Sequence, residues 1–150
     1  MATSARFGVF RISGGRKNRQ EAQRLGDEIR VFKNLDATLG LYAAYAYATG
    51  GLIDDVRSVR NIVQDVYQTD LWDIAMLSGG LSGDSRSERP GLVPICPMLS
   101  QGWSLLRVNN IHMPNALLFA RDHLLPSLWT TFDSEGMDIV EKHLGAGAPV

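Results

Sequence analysis

Apolar residues recur along most of this chain at helical spacing, and one short stretch alternates instead. From Arg6 to Ile12, Phe7, Val9 and Arg11 alternate with Gly8, Phe10 and Ile12. Aromatic and β-branched residues in that pattern predict a short strand. A strand alone is not stable, so it must pair elsewhere or act as an arm, and residues 1–18 are read as that N-terminal arm. Ser13, Gly14 and Gly15 break the pattern. From Arg19 to Lys33 the spacing of Ala22, Leu25, Ile29 and Phe32 predicts a helix.

The clearest architecture lies between Asp36 and Gln68. Asp36 is an N-cap for a helix over Thr38–Thr49, with Leu39, Tyr42, Tyr45 and Ala46 on one face. Its many alanines allow another helix to approach closely. Gly50 and Gly51 end it, because glycine accepts the left-handed backbone at a helix C-terminus. A second helix starts near Asp54 and Asp55, whose charges suit a helix N-terminus. Its apolar stripe is Val56, Val59, Ile62, Val63 and Val66. The short link predicts an antiparallel helix hairpin.

Further on, Asp70 is expected to open a helix over Asp70–Ser78. Gly79–Gly91, rich in glycine and serine, is expected to be a flexible loop. The prolines exclude helix from Leu92–Pro97. Met98–Val108 is expected to be helical, and so is a stretch capped by Asn115 that carries Leu117, Leu118, Leu124 and Leu125 up to Pro126. Ser127–Phe132 is apolar enough to pass through the core. A last helix, Ser134–Leu144, turns Met137, Ile139, Val140 and Leu144 inward, and 145–150 reads as a tail. The expected fold is all-α: one compact helical domain over 1–150, built around the hairpin, with a short N-terminal β-strand.

Composition narrows the function. The chain has 150 residues, 45% of them hydrophobic, with 15 basic against 16 acidic residues. Near-neutrality argues against general attraction to phosphate backbones or anionic membranes. No apolar run approaches the length of a membrane span, so no membrane partner is expected. The single cysteine, Cys96, excludes an internal disulfide, and the cytoplasm is the simplest location.

Candidate chemistry is sparse. His112, His123 and His143 have no metal-ligand spacing, so no metal or other cofactor is expected. Cys96 with His112 or His123 would form a thiol nucleophile and base only with geometry that spacing does not supply. Between Pro94 and Pro97 it reads as a small buried hydrophobe. Arg16, Lys17 and Arg19 after the glycines are candidate anion ligands, but the full phosphate-loop pattern is absent. No catalytic residue is assigned. Trp72, Trp103 and Trp129, with Phe7 and Phe10, are the candidate contacts for a partner, set against the alternative that the tryptophans fill the core.

Two resemblances add to this. Ala43 to Tyr47, leading through Gly51 to Val56, is similar to one tetratricopeptide repeat, in a single copy. The order Asp73–Leu77, Pro97–Trp103, His123–Phe132 resembles segments beyond the protease domain of multidomain bacterial caspase-like proteins. That resemblance spans roughly 36–144 and carries no catalytic residue. It implies an accessory or adaptor domain, here free-standing, in a bacterial signalling or defence system, binding a larger effector.

The leading expectation is therefore a non-catalytic interaction, adaptor or regulatory subunit with a protein partner or self-association. The alternative is an enzyme or small-ligand binder whose site lies under the 79–91 loop with Asp84, Arg86, Glu88 and Arg89. Nucleic-acid binding through Arg11, Arg16, Lys17 and Arg19 ranks last.

Overall fold

A computed structural model describes residues 20, 21, 23, 24, 27, 36–81 and 92–145. The N-terminal strand, with Phe7, Phe10, Arg16, Lys17 and Arg19, lies outside them, as do 82–91 and 146–150.

The described residues are mostly helical. The Asp36 side chain accepts the Thr38 N–H at 2.7 Å, as expected of an N-cap, and starts α1 (Ala37–Thr49). Every residue from Gly40 to Tyr47 is buried, so α1 is enclosed on all sides. It ends in a Schellman motif. Leu52 N–H reaches Tyr47 O, Gly51 N–H reaches Ala48 O, and Gly51 sits at φ 71°. Helix α2 (Ile53–Tyr67) packs against α1 through Val56, Val59 and Val63. Gly40 makes that approach close: a Cβ there would lie 3.2 Å from Val63. Val66, expected in the stripe, is exposed. Val63 already packs at Gly40, near the start of α1, so Val66 lies at the limit of the contact.

Asp70 does not open a helix. It lies in strand β1 (Asp70–Leu71), which pairs in parallel with β2 (Leu92–Val93). The fold is thus helical with a small two-stranded sheet rather than all-α. Asp70 is held there by Arg60 of α2, whose guanidinium grips both carboxylate oxygens. Helix α3 (Trp72–Leu77) follows at once, with all six residues buried. It ends in the same motif as α1: Gly80 N–H reaches Ala75 O, Gly79 N–H reaches Met76 O, and Gly79 has φ 79°. The turn at Gly79 and Gly80, followed by buried Leu81, belongs to the core side of the expected loop.

The expected Met98–Val108 helix shrinks to α4 (Gly102–Leu105). The backbone of 98–100 is engaged elsewhere: Ser100 N–H donates to Leu128 O, and Thr130 N–H donates to Met98 O. Leu99 and Trp129 face each other across this antiparallel pairing. Asn110, at φ 52°, ends the following turn.

Helix α5 (Asn115–Ala120) is shorter than expected, with Pro114 rather than Asn115 at the cap position. A 3-10 turn follows (Arg121–His123). Leu124 then becomes extended and pairs with Phe132. Leu125 precedes Pro126, which disfavours helical backbone there. Ser127–Phe132 runs along the surface instead of through the core. Helix α6 (Ser134–Gly145) packs on α5, with Val140 buried, Ile139 partly buried against the core and Gly136 against His123 and Phe132, while Met137 and Leu144 stay exposed. They lie beside Val140 on the flank away from Ile139, a face that α5 leaves uncovered.

Candidate functional site

Asp73 is the only fully buried carboxylate among the described residues. The apolar sequence Leu71–Leu77 forces it inward, because α3 has no exposed face. A buried carboxylate is costly unless its oxygens accept hydrogen bonds. Three donors meet it: Tyr45 OH at 2.5 Å, Met98 N–H at 2.6 Å and Leu99 N–H at 3.3 Å. Burial pushes the Asp73 carboxyl up, against the opposing pull of these donors. Burial also raises the Tyr45 phenol well above its usual range, and the neighbouring carboxylate adds to that.

Gly102 leaves room for this knot. A Cβ there would lie 2.4 Å from Tyr45 Oη and 2.8 Å from Pro97 Cβ. Asp73 thus joins α1, α3 and the 97–102 segment, and its three hydrogen bonds are all internal.

Cys96 is half-buried beside it. Burial first, and then the Asp73 charge, push the thiol up to about 12. At neutral pH the sulfur is therefore protonated, and a thiol is a poor nucleophile and metal ligand. His112 is exposed. His123 meets Asp133 at 3.2 Å, and His143 sits near the end of α6. Among the described residues no three His, Cys, Asp or Glu side chains form a group that could hold a metal ion.

The three tryptophans separate. Trp72 is 2% exposed and Trp103 4%. Trp103 Nε1–H donates to Thr130 Oγ1, which donates to Pro97 O, and the ring meets Phe132 edge-on at 5.8 Å. Both rings fill the core, which takes them off the list of surface contacts. Trp129 is different: 37% of it is exposed. Its ring rests against Tyr42 at 6.1 Å. Its carbonyl accepts hydroxyls from Ser100, Ser127 and Thr131. Val108, Phe119, Leu125, Met137 and Leu144 are further exposed apolar side chains of residues 92–145.

The sequence reading missed Tyr45–Asp73 and Arg60–Asp70. An acid within the otherwise apolar run Leu71–Leu77 was the available signal for the first. Asp84, Arg86, Glu88 and Arg89 lie outside the described residues. No described helix is long and apolar enough to cross a membrane. No family model matches the chain, and neither curated proteins nor solved structures offer a match.

Proposed function

We propose that this chain is a protein-interaction module, an adaptor or regulatory subunit, with Trp129 in its contact surface. One observation carries the reading: Trp129 is the tryptophan left at the surface while Trp72 and Trp103 complete the core. An exposed indole braced by a neighbouring ring offers a large apolar area at little entropic cost, the property that enriches tryptophan among binding hot spots. Single exposed apolar residues are ordinary, so Phe119 or Val108 alone would not support it.

The finer architectural reading belongs to the same proposal. Val63, late in α2, packs closest on Gly40, early in α1, with Val59 of mid-α2 beside it, after a three-residue link. That contact supports an antiparallel, tetratricopeptide-like hairpin. The likeness to accessory regions of bacterial caspase-like proteins supports a larger effector as partner.

Mass measured by light scattering over a range of concentrations, combined with capture from native extract, tests the reading. A self-assembly or a captured partner that Trp129→Ala abolishes is the expected result. A lone monomer in both measurements, or a complex indifferent to Trp129→Ala, would contradict it.

A further inference from the structure

Residues 123–133 form a loop closed at its neck, with Trp129 towards its far end. Asp133 N–H donates to His123 O at 3.0 Å, and Leu125 N–H donates to Thr131 O at 2.8 Å. Leu124 and Phe132 face each other between these bonds. Beside the neck, His123 Nδ1 lies 3.2 Å from the Asp133 carboxylate. The same carboxylate accepts the Gly136 N–H at 2.9 Å and so caps α6. That backbone bond, aided by His123, holds the Asp133 carboxyl below its usual range. A Cβ at Gly136 would lie 2.6 Å from His123 Cβ, so the histidine is packed tightly against the helix start. Asp133 therefore serves the loop neck and α6 together.

Other charges near this corner are few. Arg121 and Asp122, on the same turn as His123, pair with each other at 3.5 Å. Helix α5 carries no charged residue. Helix α6 brings Glu135 in its first turn, Asp138 and Glu141 along its length, and Lys142 and His143 in its last turn. Among the described residues, Asp133 is the charged group that meets the imidazole.

We infer that His123 and Asp133 form a proton-sensitive clasp on the Trp129 loop, tighter when the imidazole is charged. Imidazole is the side chain whose charge ordinarily changes between pH 5 and 8. A cationic imidazole beside a carboxylate makes a charge-assisted bond, stronger than the neutral one. The neck thus tightens in mild acid and loosens as pH rises. Strong acid opens it too, by protonating Asp133 and removing pair and cap together. Because the Asp133 carboxyl is held low, that second loss falls below the ordinary carboxylate range. The far side of the loop stays tied to Met98 and Ser100, so the clasp tunes the neck rather than releasing the segment. Its solvent exposure limits the effect to about fivefold. That the clasp tunes binding rests on reading Trp129 as a contact; the clasp itself does not.

Amide hydrogen exchange by NMR on the full chain tests this, with rates normalised to an unstructured peptide at each pH. Leu125 and Asp133 amides should lose about two- to fivefold protection between about pH 5.5 and about pH 8. His123→Gln and Asp133→Asn should both flatten this profile. Asparagine is also a good N-cap, so Asp133→Asn keeps the start of α6 intact. A flat wild-type profile, or an unchanged slope in His123→Gln, would overturn the clasp. A titrating neck combined with an association indifferent to Trp129→Ala would leave the clasp standing and remove the contact reading.

Discussion

Residues 36–81 and 92–145 differ in backbone regularity and in where they place their polar groups. In the first region regular helices follow one another closely and pack together, α1 is enclosed on every side, and two helices stop at glycines in the same left-handed turn. In the second, the short helices α4 and α5 alternate with extended segments before α6, and apolar side chains from Val108 to Leu144 reach solvent, as Ile53, Val66 and Tyr67 do along α2 in the first. The polar groups follow the same division. Tyr45, Asp73, Arg60 and Asp70 are buried or nearly so and engage each other. His123, Asp133, Ser127 and Thr131 organise a loop at the surface. Burial strengthens electrostatic bonds and raises the cost of leaving any group unpaired. The first region is thus rigid where it is polar, and the second keeps a polar loop around an exposed indole.

Substitutions can break this contrast, and the largest effect belongs to Asp73. Asp73→Ala orphans three buried donors at about 1–3 kcal/mol each, so a loss of about 5 kcal/mol is expected in urea denaturation. That equals the whole stability of a domain at the low end of the usual range of about 5–15 kcal/mol, so the urea midpoint should fall steeply. Near-wild-type stability would mean that the knot is not formed.

Next come the tryptophans, which set core against surface directly. Trp103→Ala should cost about 4 kcal/mol, as expected for a buried aromatic. Trp129→Ala should cost under about 1 kcal/mol, as for a surface position. Equal losses would erase the distinction between the two regions.

Tyr45→Phe removes one donor from Asp73 and should cost about 2 kcal/mol at neutral pH. It should also change the alkaline limb. The folded chain raises the Tyr45 phenol above its unfolded value, so the stability it contributes is present below about pH 10 and is lost as pH rises through the folded value. Wild type should therefore lose stability more steeply above pH 10 than Tyr45→Phe. Parallel alkaline profiles would contradict a buried, proton-bearing Tyr45.

The first region was the more legible in the sequence because its signals are local. Asp36 as cap, Gly50 and Gly51 as stop, and the valines of α2 each act within a few residues. In the second region the deciding contacts are distant. Met98 and Leu99 have helix-compatible neighbours, but Asp73 takes both their amides from 25 and 26 residues away. The first region has one such case: Asp70 looks like a helix cap until Arg60 claims it across ten residues. Local periodicity cannot register such pairings, and so Met98–Val108 and Asp70 were misassigned. Which tryptophan faces solvent depended on tertiary packing in the same way: the indole partners Thr130, Phe132 and Tyr42 are far from their tryptophans or lie in segments without helical period.

The central claim is that the groups best suited to chemistry are used in holding the fold together. Cys96 offers the most direct test, because it is the single cysteine and sits against that interior knot. Its alkylation by iodoacetamide should be followed near neutral pH in the native and the urea-unfolded chain. A thiol raised from 9.0 to about 12 holds about a thousandfold less thiolate, and the greater nucleophilicity of a more basic thiolate offsets part of that, so native labelling should be slower by about tenfold or more. Native labelling as fast as in the unfolded chain, or faster, would show a reactive and accessible sulfur and would contradict the account.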